Sequence, residues 1–363
     1  MSADHLLRAP VFGLPQAEKE RALLAVLNEL TALHAERCPE YGRIVEVVYG
    51  GRTGAGDPAA VPYLPVGLFK EHLLRSVPET EVFKVLTSSG TTGQRPSRVV
   101  LDRATAQRQT QALAAIMQSV LGAERLPMLL VESPDVIRDR SSLSARGAGM
   151  LGMMTFGRDH TYALRAGMEP DRDAVLAFLS RHGGRPFLVF GFTFMVWQYL
   201  YTPLAGLGLD LSNGVLIHSG GWKTLQDRAV TNDVFRARLG ADLGLTRIHN
   251  FYGMAEQVGS VFLEGDDGYL YAPAFADVVI RDPATWGELP PGREGVVEVL
   301  SALPTSYPGH AILTEDLGVV HGIDDGRCGR RGKYFSILGR VPKAELRGCS
   351  DTHAQSLAGT HAG

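Results

Sequence analysis

The stretch TSSGTTGQRPS (87–97) gathers the hydroxyls of Ser88, Ser89, Thr91 and Thr92 around two glycines. Gly90 and Gly93 let the backbone come close to a ligand, so that its N–H groups can turn toward phosphate oxygens. The hydroxyls add neutral donors that can follow a charge moving between phosphates. The stretch is not a GxxxxGK[ST] loop, and as bare residues it also fits an ordinary Ser/Thr/Gly turn. NFYGMAEQ (250–257) sets Tyr252 and Gly253 just ahead of Glu256. An aromatic face for a base and a hard oxygen for a cation thereby sit at one strand-to-loop junction. LTEDLG (313–318) carries Asp316, a carboxylate that only accepts hydrogen bonds. ILGRVPKAELRG (337–348) carries Arg340, and Cys349 follows it directly.

These residues need elements to hold them. A leucine series at helical spacing, Leu23, Leu24, Leu27, Leu30 and Leu33, predicts an amphipathic helix over 17–36. EVFKVLTSS reads as a strand before the glycine loop and RVVL as a short strand after it. Asp102 is placed to cap a helix running to about Leu121. PMLLVESP (127–134), PFLVFGF (186–192), GVLIHSG (214–220) and TRIHNFYG (246–253) read as buried strands, with room for crossover helices between them. That alternation predicts an α/β architecture with partly parallel sheets. Beyond about residue 260, ADVVI, GVVEVL, LGVVHG and YFSILG are separated by Gly/Pro turns and predict a smaller β-rich lobe.

The chain has 363 residues, 45% of them hydrophobic, enough for two or three lobes around large cores. A net charge of −3 argues against a general nucleic-acid binder. Cys38, Cys328 and Cys349 are odd in number and widely spaced, which fits neither a disulfide framework nor a structural zinc site. No basic start with an apolar run opens the chain, and no run reaches a membrane span. A reducing, cytoplasmic setting is the expectation.

Taken in order, these motifs resemble the adenylate-forming superfamily of acyl-CoA synthetases and phenylacetate–CoA ligases. The loop matches that superfamily's [ST]SGTTGxPK form, with Arg98 near the place of its lysine. By this resemblance the loop holds the phosphates of ATP, Tyr252 lies against the adenine, and Glu256 holds Mg²⁺. Ala255 stands where a threonine is usual, and Glu315 where a glycine is usual. Asp316 would bind the ribose hydroxyls, Arg340 would reach the ribose or the phosphates, and Gly220 and Gly221 in HSGGWK (218–223) would shape the nucleotide pocket. FKVLTSSGTTGQRPSRVVLD, SARGAGMLG, FGFTFMVWQYL and the ending ELRGCS are similar to the acyl-protein synthetase (LuxE-type) family, from about residue 60 to 350.

The resemblance implies an adenylation core over 1–260, a β-rich lobe over 261–340 that completes the nucleotide site, and a hinge remnant with a flexible tail over 341–363 in place of most of the superfamily's C-terminal domain. It implies activation of a carboxylic acid, fatty in this family, as an acyl-adenylate. Cys349 would then take the acyl group as a thioester and pass it to a partner reductase or acyltransferase. Gly348 would give the tail mobility, and Lys343 stands near the place of the missing lysine only by position. Two other readings fit the same residues: delivery of the acyl group to CoA or a carrier-protein thiol, and a binding protein with a degenerate site. The aromatic run 190–201 fits an acyl pocket or a buried helix, and Arg146 is placed to meet the acid. Among the histidines, His218 and His249 follow strands that end at the expected site, while Cys38 and Cys328 read as bystanders.

Overall fold

The structure, a computed structural model, describes residues 3–88, 95–137, 145–222 and 229–341. Contacts divide it into two compact units. One is built from the described residues of Met1–Ile116 and Gly253–Glu345, the other from those of Met117–Tyr252.

The first unit opens with helices Ala3–Arg8, Gln16–Arg37 and Pro39–Tyr49, and continues through strand β1 (Leu64–Pro65) to an antiparallel ribbon of β2 (Lys84–Thr87) and β3 (Arg98–Leu101). The Gln16–Arg37 helix buries Lys19, Leu23, Val26, Leu27, Leu30, Thr31 and His34, which recur every three or four residues. Leu24 and Leu33 flank that stripe and are only half-buried. Asp102 Oδ1 accepts from Thr105 N at 2.7 Å, the cap that the sequence predicts, and the helix runs Arg103–Leu121.

The second unit holds β4 (Leu126–Leu130), β5 (Gly157–Tyr162), β6 (Phe187–Phe192), β7 (Gly214–Ser219) and β8 (Arg247–Tyr252). They lie in the order β5-β4-β6-β7-β8, every pair parallel. All residues of β6 and β7 are buried, as strands covered on both faces must be. Phe178 from helix Arg172–His182 and Phe235 and Leu239 from helix Asn232–Leu243 pack on Phe187, Val189 and Leu216. Asp171 and Thr231 cap these two helices, accepting from Ala174 N at 3.1 Å and Val234 N at 3.3 Å. The run 190–201 finishes β6, turns through Thr193–Met195 and enters a buried π-helical stretch, Val196–Tyr201.

The chain then returns to the first unit with β9 (Phe262–Glu264), β10 (Leu270–Tyr271), β11 (Ala276–Arg281), β12 (Glu294–Ser301), β13 (Ala311–Ile323) and β14 (Lys333–Arg340). These order as β11-β12-β13-β14-β10-β9, with β1 parallel to β13. The sequence expectation cut the chain between 260 and 261; the contacts instead join its first 116 residues to the β-rich segment. The cause is long-range pairing. Lys19 Nζ meets Asp277 Oδ1 at 3.2 Å, Gln16 Nε2 donates to Asp277 Oδ2 at 2.6 Å, and Lys333 Nζ stands 3.9 Å from the same carboxylate. All four side chains are buried. Burial works to raise the Asp277 carboxyl, but the two lysines hold it below the usual range. No helix among the described residues is long and apolar enough to cross a membrane.

Candidate functional site

Ser88 and Ser97 close the base of the glycine loop. Ser88 N donates to Ser97 O at 3.0 Å, and Ser97 N donates to Ser88 Oγ at 2.8 Å. The ribbon β2–β3 therefore delivers both ends of the loop from one fixed point. Ser89, Gly90, Thr91, Thr92 and Gly93 lie outside the described residues, as do Lys343, Gly348 and Cys349. Arg98 begins β3 with an exposed side chain.

Glu256 stands in a short 3₁₀ turn, Ala255–Gln257, four residues beyond the end of β8 at Tyr252. Its side chain is buried, and burial raises its carboxyl above the usual range. The Ser97 hydroxyl pulls the other way, acting on the carboxyl without meeting full hydrogen-bond geometry. Lys70 lowers it and Glu315 raises it. The carboxylate is thus brought next to the base of the glycine loop. The turn is held from below. Tyr307 Oη donates to the Glu256 carbonyl at 2.9 Å, and Gln257 Nε2 donates to Gly309 O at 2.8 Å and to Val299 O at 3.1 Å. A Cβ on Gly309 would overlap the Tyr307 ring. Sequence reasoning missed Tyr307, whose place in a Ser-Tyr-Pro-Gly turn carries no local sign of this role.

Asp316 and Arg340 face each other across β13 and β14, with Arg340 Nε 3.7 Å from Asp316 Oδ1. Asp316 N donates to Thr314 Oγ1 at 3.1 Å, and Val341 N donates to Glu315 O at 2.9 Å, which carries the ladder past Arg340. The register shifts between Leu317 and Gly318, directly beyond this pair. Such a bulge re-aims neighbouring side chains. Here it sets a half-buried carboxylate beside a guanidinium.

Among the described residues, no cluster of His, Cys, Asp and Glu forms a metal cage. Mg²⁺ seldom needs one, since it takes one or two carboxylates together with substrate phosphates and water. One buried carboxylate next to the base of the glycine loop fits that chemistry.

In the second unit, Tyr252 ends β8, and Gly220 and Gly221 follow β7. Gly220 has φ +77°, a conformation that favours glycine. The β6 and β7 ends are tied by Thr193, whose Oγ1 lies 2.5 Å from Gly220 O, 3.1 Å from Ser219 O and 2.9 Å from His218 Nδ1. His218 is buried, and burial, with Arg236 and His249 adding to it, pushes its pKa down to about 3. Arg146 is engaged by a carboxylate of the protein itself: its Nε lies 3.1 Å from the buried Glu132. Burial raises the Glu132 carboxyl and Arg146 lowers it. Cys38 is buried, with its thiol pushed up by desolvation, while Cys328 is partly accessible. His310 is buried among Thr31, Tyr41 and His34, a core position, and His160 is exposed and hydrogen-bonds Met154 O.

The long-chain-fatty-acid–luciferin-component ligase of Vibrio harveyi is 25% identical over 325 residues, covering 86% of this chain and 83% of its own. Its namesake from Aliivibrio fischeri is 22% identical over 299 residues, covering 80% and 77%. The fold is similar to 2-hydroxyisobutyryl-CoA ligase in an open conformation with 2-HIB-AMP and CoA bound. That match has a TM-score of 0.67 at 20% identity and covers 91% of this chain and 72% of that one. The same ligase in its postadenylation state gives 0.65 at 21% identity, covering 91% and 69%. The sequence profile of the acyl-protein synthetase family, LuxE, matches residues 2–358, and the chain belongs to that family of ligases.

Proposed function

We propose that the chain activates a fatty acid with ATP and Mg²⁺, takes the acyl group onto Cys349, and hands it to a partner reductase or acyltransferase. The observation that carries this reading is the grouping in the first unit. The base of the glycine loop sits beside Glu256, and Asp316 faces Arg340 nine residues before Cys349. The fatty class follows the names of the two luciferin-component ligases.

The loop Ser88–Gly93 binds the phosphates through its amides and hydroxyls. Tyr252 lies along the adenine, with Gly253, Gly220 and Gly221 leaving room for it. Asp316 accepts hydrogen bonds from the ribose hydroxyls, and Arg340 reaches the ribose or the phosphates. Glu256 would hold Mg²⁺, which supplies charge neutralisation on the phosphates. An oxygen of the acid carboxylate attacks the α-phosphorus, the bond to pyrophosphate breaks, and pyrophosphate leaves. The Cys349 thiolate then attacks the acyl carbon, the bond to AMP breaks, and AMP departs with the electron pair. The thiol proton goes to solvent. Placement and charge stabilisation supply the acceleration. We place the reaction in the cytoplasm, where Cys349 stays reduced.

Incubation with ATP, Mg²⁺ and a panel of acids, followed by intact mass measurement, tests this. A hydroxylamine-labile acyl adduct that vanishes in Cys349→Ala is expected. Acid-dependent AMP release without an adduct, stimulated by CoA or a carrier protein, would move the acceptor off the chain. Absence of AMP with every acid would overturn the activity.

A further inference from the structure

We infer that Thr193 and His218 form a brace that sets the Gly220–Gly221 turn and thereby presents the Gly221 N–H as a preformed donor to the bound acyl-adenylate. This rests on the reading of that turn as part of the nucleotide site. The assignment comes from counting protons. Thr193 Oγ1 has one hydrogen and faces three groups: Gly220 O at 2.5 Å, Ser219 O at 3.1 Å and His218 Nδ1 at 2.9 Å. Both carbonyls can only accept, so the hydroxyl proton goes to them, chiefly to the nearer Gly220 O. The third contact must then be a donation from His218 Nδ1–H to the hydroxyl oxygen. His218 is thereby fixed as its Nδ1–H tautomer. Its Nε2 is left as a bare acceptor, buried and without a hydrogen-bond partner among the described residues.

The brace spans two neighbouring parallel strands at the point where their ladder stops. Phe192 and Ser219 are the last paired residues of β6 and β7; Thr193 and Gly220 are the next residue on each. In open α/β sheets the carboxyl ends of the strands are where ligands bind. A trans peptide points its C=O and its N–H to opposite sides. Holding Gly220 O against Thr193 therefore turns the N–H of the same peptide, that of Gly221, away from the brace. Gly221 is exposed, and φ +77° at Gly220 takes the chain off the strand axis there. An oriented, exposed N–H at that position is a donor for a phosphate or acyl oxygen. Thr193 and His218 themselves are positioning residues that need not touch the ligand.

The test combines nitrogen-15 histidine NMR on the full chain with kinetics. His218 is expected to show a protonated Nδ1 and a bare Nε2; the opposite tautomer overturns the brace. Thr193→Val is expected to keep a parent-like far-UV spectrum and to lower kcat/KM for acid-dependent AMP formation about 10²-fold, the scale of one lost oriented donor. Thr193→Ser, which keeps the hydroxyl, restores most of it. His218→Asn, whose amide donor falls near Nδ1, stays more active than His218→Gln, whose donor falls near Nε2. A folded Thr193→Val protein with parent activity overturns the inference, and so does an inverted order of the two His218 variants. If the parent itself forms no AMP with any acid, the proposed function fails. The tautomer, and faster Gly221 amide exchange in Thr193→Val, then still decide the brace.

Discussion

Replacing Tyr307 by Phe removes one oxygen and keeps the ring. That hydroxyl donates to the Glu256 carbonyl at 2.9 Å and receives a 3.5 Å contact from Gln109 Nε2. Tyr307 is 0% exposed and Glu256 6%, so bulk water does not reach the vacated place. A single oxygen also leaves too little room for a trapped water, which needs about 10–15 Å³ and several polar partners. The Glu256 carbonyl is then buried and unpaired, at a cost of about 1–3 kcal/mol. The Gln109 contact is at the edge of hydrogen-bond geometry and adds little. The orphaned carbonyl belongs to Glu256 itself, so any relaxation that finds it a new partner also moves the carboxylate. A displacement near 1 Å costs up to about 10²-fold in rate at a positioned group. Tyr307→Phe should therefore lose about 1–3 kcal/mol in urea unfolding and about tenfold or more in acid-dependent ATP–pyrophosphate exchange. Gln109→Met should lose little of either. A Tyr307→Phe protein with parent stability and rate refutes the reasoning, and equal losses in Gln109→Met would assign the effect to the wrong contact.

Asp316→Asn should raise KM for ATP and lower kcat/KM about ten- to hundredfold, the worth of a charged hydrogen bond, with the fold intact by circular dichroism. Asp277→Asn should be far more damaging to stability, about 3–5 kcal/mol, because it strands Lys19 as a buried cation, whereas Lys333 keeps Glu288 at 3.4 Å; thermal unfolding measures it. Burial pushes the pKa of His34 down to about 4 from its ordinary value of 6.5. The neutral form belongs to the folded state, so its stability contribution is complete above pH 6.5 and is lost as pH falls toward 4. At pH 5 the loss is about 2 kcal/mol relative to pH 7.5. A pH series of unfolding free energies should show that loss in the parent and about 2 kcal/mol less of it in His34→Gln, where the buried His218 and His310 keep their own share of the slope.

The parallel strands were legible because burial on both faces writes itself as an apolar run: PFLVFGF and GVLIHSG became β6 and β7. The polar edge strand β5, GRDHTY, has no such run and escaped notice. The motif residues stand out singly in the sequence, and there only a resemblance groups them. Asp316 meets Arg340 only through a bulged register, and Glu256 meets Ser97 only through tertiary packing. Thr193 and Tyr307 act through backbone carbonyls, for which a sequence holds no complementary letter. The joining of the first 116 residues to the β-rich segment depends on Lys19 and Asp277, and a lysine on an amphipathic helix reads locally as a solvated charge.

That pairing also sets an order of events during synthesis. Every described residue of the second unit lies in one uninterrupted stretch, Met117–Tyr252, whereas the first unit is assembled from segments on either side of it. Lys19 and Asp277 are 258 residues apart, so the Gln16–Arg37 helix leaves the ribosome long before the carboxylate that neutralises its buried lysine exists. The five parallel strands have everything they need to collapse first. Until β11 and β14 follow, the helix exposes its apolar stripe to the cell, and chaperone capture of nascent chains should be concentrated on those first residues.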